Sequence, residues 1–263
     1  TFDAAALTQV EDRLRQYMRE SVKAEDDLVA VLQSARNRPS PIDGYFGSVY
    51  YIGPIFTAFR GTPEATNYYR TLRAEIEQRV RDGRGPITPE GEMGEEKYRL
   101  VIEGPPNWTH FRDFWKMFYD EGAVVVASTY SKVGGLYDFG FRHDPDHPLE
   151  SLAEYCLGCY TNLNLPSRVD MIYKYIDEYQ ADGLLINSIK SCNSFSAGQL
   201  LIMREVEKRT GKPAAFIETD LVDPRYFSAA NVKNRLESYF QMVKAKRGAT
   251  AAASRSPRPG GAC

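Results

Sequence analysis

The sequence predicts an α/β fold, with a helical N-terminal segment followed by a four-stranded parallel, flavodoxin- or Rossmann-like doubly wound sheet. Three observations predict it. The first ninety-odd residues carry apolar side chains at helical spacing and show no strand-like run. From Tyr98 onward, short β-rich or apolar runs alternate with helical patterns. Such alternation requires right-handed crossovers and helices on both faces of a parallel sheet. Each run also ends in a polar or glycine-containing loop, as strands do at the ligand-bearing edge of such a sheet.

The elements follow in order. Residues 5–36 read as helix, with Leu7, Val10, Leu14, Tyr17, Met18, Val22, Leu28, Val31 and Leu32 roughly at helical spacing. Arg38-Pro-Ser-Pro41 breaks the pattern. A second helical region covers 43–59, where Tyr45, Phe46, Tyr50, Tyr51, Phe56 and Phe59 read as core or interface. Thr62 caps and Pro63 opens a third helix, which runs to about Asp82 before Gly83-Arg-Gly-Pro86 stops it. Strands are predicted at 98–103, 123–127, 183–189 and 213–218. Helices are predicted at 108–119, 149–156, 166–180, 195–210 and 228–245. Ser131 to Pro148, rich in Gly, Asp and His, reads as a surface excursion. Gly248 to Cys263 is Ala/Ser/Pro/Gly-rich and reads as a disordered tail. The expected organisation is a helical linker or interface region over 1–95, an α/β domain over 96–247, and the tail over 248–263.

Bulk properties exclude several classes. A net charge of −2, with basic residues interleaved among acidic ones as in Glu75 to Asp82, gives no electrostatic case for nucleic acid or an anionic membrane. No apolar run approaches the roughly 20 residues a membrane span needs. Four cysteines in 263 residues make no disulfide scaffold. The start, Thr1-Phe-Asp-Ala-Ala-Ala-Leu7, has no secretory pattern and no methionine. The expectation is a cytoplasmic location and a chain whose upstream part is missing.

Chemistry is sought in the loops after the four strands: Gly104-Pro-Pro-Asn107, Ser128-Thr-Tyr130, Lys190-Ser-Cys192-Asn-Ser194 and Glu218-Thr-Asp220. None carries the dinucleotide fingerprint, a P-loop or a nucleophile elbow. Cys192 follows the apolar run Leu184–Ile189 directly, so its thiol is placed at the crevice, where it can bind a metal or cluster; the alternative is a half-buried structural cysteine. Cys156-Leu-Gly-Cys159 can hold zinc, join an iron–sulfur cluster, exchange dithiols or simply pack. Zinc needs four ligands, and Cys192 plus His143 or His147 could complete the set with that pair; His110 reads as a surface residue. Asn107, Trp108, Asn193 and Ser194 each sit just after a strand and are expected to line the crevice. For Trp108 the alternative is packing at the start of its helix.

Three segments together resemble a known family. They are Glu103-Gly-Pro-Pro-Asn-Trp108, then Ala181-Asp-Gly-Leu-Leu-Ile-Asn-Ser-Ile-Lys-Ser-Cys192, then Ile217-Glu-Thr-Asp-Leu-Val-Asp223 with Asn234-Arg-Leu-Glu-Ser-Tyr-Phe240. The chain resembles the 2-hydroxyacyl-CoA dehydratase/benzoyl-CoA reductase family over nearly its whole length up to about Arg247, and most of all its ATP-dependent reductase branch. The resemblance implies two α/β domains around a 4Fe–4S cluster held by three cysteines. Cys192 matches the third ligand. The other two would belong to a first domain this chain lacks, and Cys156 and Cys159 do not match the family's ligand positions and stay second-rank.

What the resemblance implies about function is concrete. Ferredoxin passes electrons to separate ATPase activator subunits, which hydrolyse ATP. The activator fires those electrons into the clusters of the reductase's B- and C-type subunits. The substrate would be an aromatic acyl-CoA, reduced to a cyclic dienoyl-CoA by an oxidoreductase working in anaerobic aromatic degradation. Two alternatives remain: a 2-hydroxyacyl-CoA dehydratase subunit, or a non-catalytic fragment that docks partner subunits. Taken alone, the chain is expected to be inactive and poor in cluster, since it supplies one of three ligands.

Overall fold

Side-chain alternation along the four sheet strands decides how the layers assemble. The computed structural model describes residues 3–56, 60–93, 95–132 and 135–255. It runs through α1 (Ala4–Val22), α2 (Glu25–Gln33), α3 (Gly44–Phe46), a π-helical turn (Gly47–Tyr51), α4 (Gly53–Phe56) and α5 (Pro63–Arg81). A small antiparallel ladder of β1 (Ile87–Thr88) and β2 (Gly91–Glu92) comes next. Then follow β3 (Tyr98–Glu103), α6 (Phe111–Tyr119), β4 (Ala123–Ser128), α7 (Pro148–Leu157), α8 (Leu165–Glu178), β5 (Gly183–Ile189), α9 (Asn193–Ser196), α10 (Gln199–Thr210), β6 (Ala214–Thr219) and α11 (Ala229–Arg255).

The sheet has the order β4-β3-β5-β6, every pair parallel. Leu100, Ile102, Val125, Leu185 and Ile217 point to one face. There they meet Phe114, Trp115 and Phe118 of α6 and Leu236, Tyr239 and Val243 of α11. Val101, Val124, Val126, Leu184 and Ile186 point to the other face, against α8, α10 and the helical segment that contributes Leu28, Val31, Tyr69 and Ile76. The period of two thus produces three layers. Each fully buried aliphatic or aromatic side chain contributes about 1.5–3 kcal/mol relative to exposure.

Arg99 joins the layers at the amino end of β3. Only 1% exposed, it donates from Nε to the carbonyl of Tyr179 at 2.8 Å and from Nη1 to that of Asn37 at 3.1 Å. It also donates to the carbonyl of Ala35. Its charge is met by Glu96 at 2.7 Å. Those carbonyls lie where α8 ends and where the 3-10 turn after α2 ends, so one guanidinium satisfies acceptors that helix termini leave orphaned.

The α/β class and all four sheet strands stand as expected, and α5 carries its predicted cap, Thr62 accepting from the Ala65 amide at 3.3 Å. Several details differ. The helix over 5–36 breaks at Lys23–Ala24, because Glu25 is drawn into the interior by Arg60 and His143. Leu7, Val10 and Tyr17 are 53%, 64% and 57% exposed, so that apolar stripe enters the core only from Met18 onward. Where one helix over 43–59 was expected, residues 44–56 form three short turns, with Phe46 and Tyr51 buried as expected; residues 57–59, Phe59 among them, lie outside the described residues, as does the side chain of Phe56. The β1–β2 ladder interrupts a stretch expected to be wholly helical.

The 131–148 connection is no plain surface excursion. Its Lys132, Leu136, Tyr137, Asp138 and His143 are buried. Lys132 and Tyr175 both reach the Asp138 carboxylate, and that pairing makes burial of so polar a segment possible. The helix expected over 195–210 splits at Gly198, whose φ of +79° starts α10 afresh. Alanine, lysine and arginine carry α11 through Gly248 to Arg255, where a disordered tail was expected; residues 256–263 lie outside the described residues.

Arg99→Met should strip three buried carbonyls and Glu96 of their partner. The expected loss is about 3–5 kcal/mol, read as a lowered urea midpoint at unchanged slope.

Candidate functional site

Strand order reverses between β3, which leads outward to β4, and β5, which leads to β6. The crevice beyond the carboxyl ends of β3 and β5 is therefore where an open α/β sheet places its ligand. Gly104 leaves β3 with φ +100°, and a Cβ there would lie 2.2 Å from the Asn187 carbonyl oxygen, so only glycine fits. A polar seam then crosses all four strand ends. The Gly104 amide donates to Thr129 Oγ1 at 3.1 Å. Asn187 Nδ2 donates to the Pro105 carbonyl at 2.6 Å, and Thr219 Oγ1 donates to Asn187 Oδ1 at 2.9 Å.

An aromatic row lines this edge. Trp108 stacks on Phe111 with centroids 4.8 Å apart and planes 6° apart, and meets Tyr130 edge-on at 6.3 Å. Tyr130 meets Phe195 at 6.3 Å, and Phe195 stacks on Tyr160 at 5.9 Å. Trp108 is 39% exposed, which leaves ring surface open to a ligand.

Cys192 is the N-cap residue of α9, whose Phe195 belongs to this row, and is half-buried. Its loop is held on both flanks. The Ser191 amide donates to Asp220 Oδ2 at 3.0 Å, while Asp220 Oδ1 accepts from the Val222 and Asp223 amides at 3.0 Å each. Chiefly the Val222 amide, then Ser191, pull the Asp220 carboxyl down to about 2. On the other flank Arg168 donates to the Ser194 carbonyl at 3.1 Å, and also to those of Thr161 at 2.7 Å and Leu163 at 3.1 Å.

The predicted residues fall as follows. Asn193 and Ser194 are exposed beside Cys192. Asn107 is fully buried, its Oδ1 accepting from Thr109 and its Nδ2 without a partner, so it shapes the loop from beneath. Cys156 is exposed near the end of α7. Cys159 is half-buried, its thiol pushed up by burial and its Sγ donating to the Tyr155 carbonyl at 3.6 Å. Among the described residues no group of three His, Cys, Asp or Glu side chains is placed to hold a metal. The possible zinc set is not assembled: His143 is buried against Glu25 at 2.5 Å, and His147 is exposed beside Asp144 at 2.8 Å. His110 stacks on Phe227 with centroids 4.4 Å apart.

Sequence reasoning missed Glu103. It is the last residue of β3, fully buried, with Gln199 Nε2 donating to its Oε2 at 2.5 Å. Burial pushes its carboxyl up from 4.5 to about 7, against the opposing pull of Gln199, Tyr160 and Arg168. A signal existed: it is the one acid in a strand otherwise committed to the core. The Arg168 clamp and the aromatic row were missed as well, because their members come from separate segments.

A family model described as 2-hydroxyglutaryl-CoA dehydratase, D-component, matches residues 7–243. The B subunit of benzoyl-CoA reductase from Thauera aromatica is 80% identical over 236 residues, 90% of this chain and 55% of that protein. The (R)-phenyllactyl-CoA dehydratase alpha subunit of Clostridium sporogenes is 24% identical over 241 residues, 90% of this chain and 54% of that protein. The alpha subunit of (R)-2-hydroxyglutaryl-CoA dehydratase from Acidaminococcus fermentans is 24% identical over 237 residues, 89% of this chain and 46% of that protein. The chain spans about half the length of the curated relatives it matches.

Two outcomes follow from the geometry. Because Glu103 titrates higher folded than unfolded, the unfolded chain ionises first, and stability should fall as pH rises from about 4.5 through about 7. That loss is about 3 kcal/mol, and denaturant titrations across this range should show it in the wild type and not in Glu103→Gln. Asp220→Ala frees the amides of Ser191, Val222 and Asp223. Alkylation of Cys192, followed peptide by peptide in a mass spectrometer, should then run several-fold faster while Cys156 reacts as before.

Proposed function

The chain belongs to the 2-hydroxyglutaryl-CoA dehydratase D-component family, and on that premise we propose that it forms part of the substrate-reducing subunit of an ATP-dependent benzoyl-CoA reductase. The observation that carries this reading is the row Phe111–Trp108–Tyr130–Phe195 at the switch-point crevice, beside Cys192. Flat aromatic faces suit the ring of an aromatic acyl-CoA through stacking and edge contacts. The 80% identity to one chain of a benzoyl-CoA reductase supports the same branch over the dehydratases, whose identity to this chain is 24% in the two compared.

In this reading the protein binds the acyl-CoA, orients its ring, excludes water and supplies protons. Trp108 and Tyr130 hold the ring. Asn193 and Ser194, exposed on the Cys192 loop, present polar groups to the thioester end. Arg168 and Asp220 keep that loop in place. A 4Fe–4S cluster, when bound, supplies low-potential electrons. Cys192 offers one thiolate to it, and the remaining ligands come from outside the crevice described above, with Cys156 and Cys159 as second-rank donors. The partners are the C-type subunit, the ATPase activator subunits and, through them, ferredoxin. The location is the cytoplasm; no helix among the described residues is long and apolar enough to cross a membrane.

The test is the complete subunit with its partners, prepared without oxygen and given benzoyl-CoA, ATP and a low-potential reductant. A dienoyl-CoA product formed with stoichiometric ATP supports the reading. Dehydration of a 2-hydroxyacyl-CoA with only catalytic ATP overturns it in favour of a dehydratase. Partner binding without turnover overturns it in favour of a docking fragment. Trp108→Ala should raise the KM for the aromatic acyl-CoA about tenfold, the worth of one aromatic contact of about 1.4 kcal/mol, with kcat nearly unchanged. Cys192→Ala should remove cluster iron and activity while the melting temperature holds.

A further inference from the structure

We propose that Cys156 and Cys159 form a reversible dithiol–disulfide couple, which exchanges with low-molecular-weight thiols and disulfides. It does not rest on the reductase reading, in which the two are only second-rank cluster donors.

The two cysteines share one turn at the end of α7. The Cys159 amide donates to the Cys156 carbonyl at 3.2 Å. That bond keeps the two Cα atoms within about 7 Å, the span a disulfide bridges without moving the backbone. Cys159 Sγ lies 3.6 Å from the carbonyl of Tyr155, the residue before Cys156, so the thiol folds back over the turn. The turn itself is held from both sides. Asn162 Nδ2 donates to the Cys156 carbonyl at 2.6 Å. Gly158 lies main chain on main chain against the 131–148 connection, where a Cβ would come 3.2 Å from Gly135 Cα. A turn already fixed in this form closes its ring with little further loss of conformational freedom.

Access divides the work between the two thiols. Cys156 is exposed and Cys159 is half-buried. An exposed thiol beside a sheltered, resolving one is the arrangement that turns oxidation into a reversible disulfide. Cys192, equally half-buried, has no second cysteine in its loop. In the step, the Cys156 thiolate attacks one sulfur of a small disulfide such as oxidised glutathione. A Cys156–glutathione S–S bond forms, the glutathione S–S bond breaks, and one glutathione leaves with the proton Cys156 gave up. Cys159 then attacks Cys156 Sγ and expels the second glutathione, which takes the proton of Cys159. The pair loses two electrons and two protons, and the oxidised glutathione gains them. Such couples are the form in which disulfides occur in a chain with no disulfide scaffold.

The test holds the full chain without oxygen in glutathione buffers running from reduced to oxidised. Each sample is then alkylated and read peptide by peptide in a mass spectrometer. The oxidised buffer should remove both thiols together, leaving a peptide two hydrogens lighter, and dithiothreitol should restore both. Cys159→Ser should trap glutathione on Cys156, whereas Cys156→Ser should carry several-fold less on Cys159. Both thiols remaining open to alkylation in the oxidised buffer would overturn the couple. So would glutathione that stays on Cys156 in the wild type, or a crosslink from either residue to another cysteine. Elemental analysis of the same samples supplies the last readout: iron or zinc that stays on the pair and blocks its oxidation overturns the proposal as well.

Discussion

The guanidinium of Arg99 is the interaction on which the rest of the structure depends. It sits at the amino end of the central strand and takes up backbone carbonyls from the end of α8 and from the turn after α2. The strands would pair without it. The helical segment and α8 would then have no fixed angle to the sheet, because apolar packing is not directional while a forked donor with set bond angles is. Through α8 the same brace reaches Arg168, and so the loop that carries Cys192.

Alternation along β3 then distributes its chemistry. Arg99, Val101 and Glu103 share one face, and the strand buries a cation at one end and a carboxyl at the other. The two are treated differently. Arg99 is neutralised by Glu96 and wrapped in carbonyls, as a structural charge should be. Glu103 faces an amide and a phenol, with one oxygen left unpaired. Incomplete satisfaction of a buried polar group costs stability and persists where something else depends on it.

Much of this was legible in the sequence, and the remainder has a common cause. The strands were readable because β-branched, apolar runs bounded by Gly, Pro and Asn report on their own burial. Cys192 was readable because its place follows from the strand before it. The break at Lys23–Ala24 was not, since neither residue breaks helices; Arg60 and His143, far along the chain, draw Glu25 inward. The 131–148 segment has the composition of a surface loop, and only the Lys132–Asp138–Tyr175 partnership explains its burial. The aromatic row escaped notice for the same reason: Phe111, Trp108, Tyr130, Phe195 and Tyr160 have no shared period. Tertiary pairing, and no local property, makes them neighbours.

The close approach of Gly104 to the Asn187 carbonyl has a consequence for how the crevice adapts. Main chain touches main chain there, and the polar seam continues to the strands on either side. That lip of the crevice is a rigid jaw. The opposite lip, residues 190–198, is a single helical turn between a strand and a left-handed glycine, held by a few side-chain hydrogen bonds. That lip is held through side chains where the other is held through main chain, so a substitution at Arg168 or Asp220 reshapes one side of the crevice and leaves the other as it is.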